Sequence, residues 1–320
     1  MLNIDNLGVV FDADAGLVRA IDALSLAIER GETFALVGES GCGKSLTALA
    51  LMRLLPDAGH ISDGRIGIDG LDTLALPEAA MRRLRGGRIG MIFQEPATSL
   101  NPIMRIGAQI VEAIEAHTAL RGAAARAKAI EWLGRVGIPE PARRIDDYPF
   151  RLSGGQKQRV MIAIALAAEP DFLVADEPTT ALDVSVQAQV ISLLKRLCRQ
   201  RSLAVLLVTH DMGVIADACD RVAVMYAGRI VEMGAVREVI HAPTHPYTAG
   251  LMGSIPPMTG EHERLLQIDG VMPRLGATPG GCAFHPRCPR VMARCRSERP
   301  ELLPAGASRA ACWLHDGEAF

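Results

Sequence analysis

Gly38-Glu39-Ser40-Gly41-Cys42-Gly43-Lys44-Ser45 follows the apolar run Phe34-Ala35-Leu36-Val37 and leads into a helix beginning near Lys44. The order is strand, glycine-rich turn, helix. Glycines at these places let the backbone curl so that successive N–H groups point at phosphate oxygens at a helix N-terminus. Lys44 is expected to reach the β and γ phosphates of ATP, and Ser45 to offer its hydroxyl to Mg²⁺, which prefers hard oxygen ligands. Gly38, Ser40, Gly41, Gly43 and Leu46 complete the cradle. Cys42 reads as a small filler side chain rather than a redox switch.

Downstream lies an ordered set that serves the same nucleotide: Gln94, then Leu152-Ser153-Gly154-Gly155-Gln156, then Phe172-Leu173-Val174-Ala175-Asp176-Glu177, then His210. Asp176 follows four mostly apolar residues, which puts its carboxylate at the C-terminal tip of a buried strand, where open α/β sheets bind ligands. It is expected to hold Mg²⁺ through water, with Glu177 polarising the attacking water as general base. Gln94 ends the strand 89–93 and offers an amide oxygen to Mg²⁺ or to the water. His210, also after a strand, is expected to sense the γ-phosphate.

The pentapeptide explains why one chain is not enough. Gly154 and Gly155 expose N–H groups at the start of a helix over 156–167, a second anion-binding surface that the first phosphate loop cannot use in the same fold. It is expected to face the ATP of a partner, with Ser153 donating to the γ-phosphate and Asp183 bridging the dimer interface. ATP then joins two chains, and hydrolysis removes the phosphate that both hold.

The surrounding pattern is that of an α/β protein. Strands are expected over 2–11, 19–28, 34–37, 65–69, 89–93, 172–175, 204–208 and 221–225. Between about 96 and 160 the sequence becomes helix-forming. Ile110, Ala113 and Ile114, then Ala129, Ile130, Leu133 and Val136, recur at helical spacing and predict an inserted helical lobe. Further helices are expected over 184–200 and 212–218. With 320 residues, 49% of them apolar, the chain holds a large core plus one appendage.

A net charge of −2 gives no polyanion-binding surface, so nucleic acid is not an expected partner. No run approaches the roughly 18 to 20 apolar residues of a membrane span, and the first residues lack the basic start of an export signal. A cytosolic chain is expected, with any membrane role coming through partners.

These residues resemble the ATP-binding-cassette (ABC) family over about residues 1–255. Phe93-Gln94-Glu95-Pro96-Ala97-Thr98-Ser99-Leu100-Asn101-Pro102 and His245-Pro246-Tyr247-Thr248 look like its dipeptide and oligopeptide importer ATPases in particular. The resemblance implies a RecA-like mixed sheet core with an antiparallel β subdomain and a helical lobe at about 96–160, followed by a cysteine-containing extension over 256–320. It also implies an ATPase subunit at the cytoplasmic face of the bacterial inner membrane, coupling ATP hydrolysis to peptide uptake. Its partners would be a second ATPase chain, with a heterodimer favoured, two membrane-spanning permease subunits and an extracytoplasmic binding protein. Coupling helices of the permeases would enter a groove between the Gln94 loop and the helical lobe. Relatives in this subfamily also move nickel, opines, oligosaccharides and glutathione.

Many family members stack adenine on an aromatic residue near the N-terminus. The position aligned without gaps is Ala15, and the nearest aromatic is Phe11, which reads equally as a core strand residue. Arg19 offers a cation–π contact instead. Soluble ABC ATPases of DNA repair or translation typically carry two cassettes or long coiled-coil insertions, and this chain has neither. A purely regulatory nucleotide binder has no use for Glu177 as a base.

From about Ile255 onward Pro and Gly become frequent, and Cys282, Cys288, Cys295 and Cys312 gather four of the seven cysteines. The loop-rich segment is expected to be held by this group rather than by an apolar core. Their spacing lacks the Cys-x2-Cys pairs of zinc ribbons, and four thiolates suffice for a [4Fe–4S] cluster. Spacing alone leaves open a zinc site with His285 or His315, and free buried thiols. The segment Cys282-Ala283-Phe284-His285-Pro286-Arg287-Cys288-Pro289 resembles the C-terminal extension of peptide-importer ATPases, which implies an iron–sulfur cluster.

Overall fold

The computed structural model describes residues 1–13, 16–180, 182–254 and 267–316, and its chain divides into two compact units. One comprises Met1, 28–32 and 75–208; the other comprises 2–27, 33–74 and 209–320.

In the first unit the strands Ile89–Ile92, Phe172–Asp176 and Ala204–Val208 pair in parallel, with Ile89 opposite Phe172 and Phe172 opposite Ala204. Every residue of all three is buried. A strand covered on both faces has no polar side to show, so near-continuous apolar runs replace alternation. The first strand stops at Ile92, one residue earlier than the sequence suggests, and Phe93 is exposed.

The helical lobe follows as expected, with helices Ile106–His117, Gly122–Arg135 and Gly154–Leu166. Ile110, Ile114, Ala129, Leu133 and Val136 are fully buried, as the helical spacing requires, whereas Ala113 and Ile130 are only half-buried. Trp132, also fully buried, is the largest core side chain of this lobe. Arg135 and Arg201 lie over its ring at 5.0 and 5.6 Å.

In the second unit the strand Leu2–Ala13 pairs antiparallel with Gly59–Ile68, from Leu2 opposite Ile68 to Phe11 opposite Gly59. Gly16–Ile28 flanks the first and Leu71–Asp72 the second, giving the antiparallel β subdomain. The strand Thr33–Val37, which leads into the phosphate loop, pairs in parallel with Arg221–Tyr226, and Arg229–Ala235 returns antiparallel beside it. Ser308–Ala310 adds to Arg229–Ala235, and Leu303–Ala305 adds to that.

The C-terminal segment is therefore part of a sheet, and this corrects the expectation that its cysteines alone hold it. Phe284 is 2% exposed and meets Tyr226 and Tyr247, both fully buried, at ring distances of 5.3 and 5.4 Å. Burying one such aromatic ring stabilises by about 1.5–3 kcal/mol. Glu232, fully buried, accepts hydrogen bonds from the Thr244 N–H and hydroxyl at 2.8 Å each, from the His245 N–H at 2.9 Å and from the Ser308 hydroxyl at 3.2 Å. A buried carboxylate is tolerable only when its oxygens are satisfied in this way. The boundary expected at 255/256 lies outside the described residues.

Among the described residues no helix is long and apolar enough to cross a membrane.

Candidate functional site

Gln94, Ser153, Asp176, Glu177 and Asp183 belong to the first unit, and the phosphate loop, His210, Phe11 and Arg19 to the second.

In the phosphate loop, Gly38, Gly41 and Gly43 all have positive φ, +152°, +83° and +108°. At Gly38 the need is also steric, because a Cβ would sit 2.2 Å from the Met225 carbonyl oxygen and 2.8 Å from Cys42 Sγ. Gly43 caps the helix Lys44–Leu51 in the left-handed region, and no side chain caps that helix. Lys44, 5% exposed, donates from Nζ to the carbonyls of Gly38 at 2.9 Å and Glu39 at 3.1 Å. Its ammonium is thus held inside the loop by main-chain oxygens. Ser40 and Gly41 are exposed, and Ser45 and Leu46 half-buried. Cys42 is buried, and desolvation raises its pKa despite the neighbouring Lys44, which makes it an inert filler thiol.

His210 is exposed just beyond Ala204–Val208, and Thr209 beside it is buried. The Thr209 hydroxyl accepts the Asp211 N–H at 3.1 Å, and Asp211 caps the helix Met212–Ala218. Phe11 is half-buried with its ring against Gly59, where a Cβ would meet Phe11 Cε1 and Cζ at 2.8 Å. Arg19 points its guanidinium at Asp63, 3.3 Å away, and at Asp22, 3.5 Å away. Neither is presented as an isolated adenine platform, and Ala15 lies outside the described residues.

In the first unit, Asp176 is the buried last residue of its strand. Glu177 turns away with φ +45°, and its N–H donates to the Val208 carbonyl at 2.8 Å. Non-glycine residues rarely occupy this region, and such strain concentrates at functional sites. The Glu177 carboxylate accepts from Gln94 Nε2 at 3.0 Å and from the Thr180 hydroxyl at 2.8 Å, both on Oε2. The structure thus brings Gln94 and Glu177 together and adds Thr180, which sequence reasoning missed. The threonines after Glu177 carry the only local hint, a hydroxyl one turn on.

Ser153 is exposed and caps Gly154–Leu166 through a reciprocal box: its hydroxyl accepts the Gln156 N–H at 3.3 Å, and its own N–H donates to Gln156 Oε1 at 3.1 Å. The hydroxyl proton is not consumed by the cap. Gly155 has a packing role that the sequence did not reveal, since a Cβ there would lie 2.6 Å from Val186 Cγ1. Asp183 caps Val184–Arg201, accepting from the Val186 N–H at 3.0 Å and the Ser185 hydroxyl at 2.9 Å. These bonds, the backbone one first, hold its carboxyl below the usual range.

Cys282, Cys288 and Cys312 are half-buried and Cys295 is buried. Desolvation first, then the other thiols of the group, pushes Cys282 up to about 11 and raises Cys288 and Cys312. The four side chains are thus near enough to act on one another's charge, and as donors they suit an iron–sulfur cluster. Among the described residues, however, no group of three or more His, Cys, Asp or Glu is arranged to hold a metal ion. His315 donates from Nε2 to the Thr244 carbonyl oxygen, 2.8 Å away, and His285 from Nδ1 to the Cys282 carbonyl oxygen, 3.0 Å away.

An ABC transporter family model matches residues 21–180, and the model for the oligopeptide/dipeptide transporter C-terminal region matches residues 231–295. The dipeptide transport ATP-binding protein DppD of Bacillus subtilis is 45% identical over 321 residues, covering 100% of this chain and 96% of the relative. DppD of Escherichia coli is 45% identical over 94% of this chain and 92% of its own length. The oligopeptide transport ATP-binding protein AppD of Bacillus subtilis is 45% identical over 99% and 98%. Among solved structures, a dimeric ATP-binding cassette in a post-hydrolysis state bound to ADP and Pi superposes with a TM-score of 0.67 at 29% identity, covering 74% of this chain and 99% of that one. The cbiO1 subunit of a Clostridium perfringens ABC transporter complex gives 0.65 at 29% identity, covering 75% and 90%. The chain belongs to the ABC transporter family of ATPases, in the group that carries the oligopeptide/dipeptide transporter C-terminal region.

Proposed function

We propose that this chain is an ATP-hydrolysing subunit of a bacterial importer of dipeptides or oligopeptides, attached peripherally to the cytoplasmic face of the inner membrane. The names of the relatives and the match to their C-terminal region support the peptide cargo. A second ATPase chain, in a heterodimer, two permease subunits and an extracytoplasmic binding protein complete the assembly.

The observation that carries the catalytic reading is the Glu177 carboxylate, fixed by Gln94 and Thr180 next to buried Asp176. Ser45, Asp176 and Gln94 offer hydroxyl, carboxylate and amide oxygens, a donor set suited to Mg²⁺, which would neutralise charge on the β and γ phosphates. Lys44 leaves its carbonyl partners to bind the terminal phosphoryl group. Glu177 takes a proton from water as the water oxygen bonds to the γ-phosphorus, and the bond to ADP breaks. His210 reports the presence of that phosphate. Ser153 donates its hydroxyl to the γ-phosphate bound by the partner chain, while the partner's equivalent serine completes this chain's site, and Asp183 bridges the two.

Cys282, Cys288, Cys295 and Cys312 would hold a [4Fe–4S] cluster as thiolates, which would fasten the C-terminal segment. Iron and sulfide assays on anaerobically purified protein test this; fewer than about one iron per chain, against the roughly four of a full cluster, refutes it.

The test of the catalytic reading is Glu177→Gln. ATP binding is expected to persist while turnover falls about 10²–10⁴-fold, the contribution of a general base. Unchanged turnover removes Glu177 from the mechanism.

A further inference from the structure

Glu39, the second residue of the phosphate loop, is gripped at three points within one unit. Its N–H donates to the hydroxyl oxygen of buried Tyr247 at 2.9 Å. Its carbonyl is one of the two oxygens that hold the Lys44 ammonium. Its carboxylate receives both terminal nitrogens of Arg287, at 2.7 and 3.0 Å, across 248 positions of sequence.

Arg287 stands between Cys282 and Cys288, and its side chain is only 7% exposed. Its Nε donates to the Asp269 carbonyl at 2.9 Å, and its guanidinium lies 5.8 Å from the Tyr226 ring centre and 6.0 Å from that of Phe284. A planar fork held on both edges and bonded bidentately leaves its carboxylate partner one orientation, which a lysine does not reproduce. Glu39 in turn fixes a carbonyl from which Lys44 must depart to meet phosphate. The phosphate loop therefore takes its shape partly from the cysteine-bearing segment.

We propose that Arg287 is a positioning residue for the nucleotide site, acting through Glu39 on the phosphate loop and Lys44. The proposal rests on the reading of that loop as the ATP site. It gives the C-terminal segment a role in ATP affinity whatever its cysteines bind.

The test uses the full chain, a fluorescent ATP analogue with Mg²⁺, and a thermal melt of each variant. Arg287→Ala is expected to weaken binding about tenfold, the size of one impaired hydrogen bond to a charged group, and to lower the melting temperature because Glu39 is left unpaired. Arg287→Lys recovers part of the affinity. The deciding variant is Arg287→Met with Glu39→Gln, which removes both charges. Its melting temperature is expected to return towards wild type while its affinity stays low. Affinity that returns together with stability, or an Arg287→Ala protein that binds within about twofold of wild type, overturns the proposal, since an impaired hydrogen bond to a charged group costs more than that. A wild-type chain that fails to bind the analogue overturns the ATP reading itself, and this inference with it.

Discussion

Two helices of this molecule begin at glycine-rich turns read as phosphate sites, and they treat their first N–H groups in opposite ways. Lys44–Leu51 starts from Gly43 in the left-handed region and has no side-chain cap. Gly154–Leu166 starts from Ser153 and closes a full capping box with Gln156. An uncapped N-terminus lined by glycines is built for an anion that supplies the missing acceptors. A capped one is stable before any ligand arrives, and its serine keeps a hydroxyl proton to donate. The difference fits a division of labour in which one helix binds its own nucleotide and the other waits for a partner's.

The strongest way to break this contrast is Gly38→Ala. A Cβ 2.2 Å from the Met225 carbonyl cannot be accommodated without moving the loop. ATP binding should be lost and the fold weakened by about 1–3 kcal/mol, read by nucleotide titration and urea unfolding. Full affinity would show that the loop geometry is not needed.

Ser153→Asp separates capping from phosphate contact. Aspartate is as good an N-cap as serine, so stability should stay within about 0.5 kcal/mol. Turnover should nevertheless fall about 10²-fold or more, because a carboxylate then faces a phosphate in place of a donor. Normal turnover by this variant would mean that Ser153 only caps.

Gly155→Ala probes the packing role instead. The contact with Val186 Cγ1 predicts a loss of about 1–3 kcal/mol that Val186→Ala restores. Absence of rescue would return Gly155 to a purely phosphate-facing role.

The smallest expected effect contrasts the units that carry the two helices. His245 in the phosphate-loop unit is pushed down to about 3 by burial, then by His315, from an ordinary 6.5, and its Nδ1 must stay unprotonated to accept the Tyr247 N–H. Unfolded, it binds a proton below 6.5; folded, it resists to about 3, so stability is full above 6.5 and declines as pH falls through that window. Glu169 in the other unit is lowered to about 2 from 4.5, chiefly by Arg201. Its contribution is present above 4.5 and is lost only below that. As pH falls below 6.5, amide protection factors, corrected for the slower intrinsic exchange in acid, should therefore drop first around Pro246–Gly253, and His245→Asn, which retains a cap, should suppress the change.

Much of this site was legible because it is local. The glycine-rich turn between a strand and a helix and Asp176 at a strand end each depend on residues within a few positions, whereas the box of Ser153 with Gln156 was not read from the sequence. Strand interiors were legible for the same reason: the apolar run read as a strand over 172–175 is the buried strand Phe172–Asp176. What escaped was long-range. Nothing near Glu39 announces Arg287, nothing near Gly155 announces Val186, and the two short strands that attach the C-terminal segment to Arg229–Ala235 have too few residues to show a period. Phe11 illustrates the intermediate case, since its partner Gly59 is set by strand register and not by its own neighbourhood.

Hydrolysis is proposed to need two chains, with Lys44 of one and Ser153, or its equivalent serine, of the other on the same terminal phosphoryl group. The most direct measurement is ATP turnover per chain across a dilution series, with mass followed by light scattering at each concentration. Turnover should vanish as the mass falls to that of one ATPase chain, and return when a second chain is supplied. Full-rate hydrolysis by a species with the mass of a single chain would contradict it.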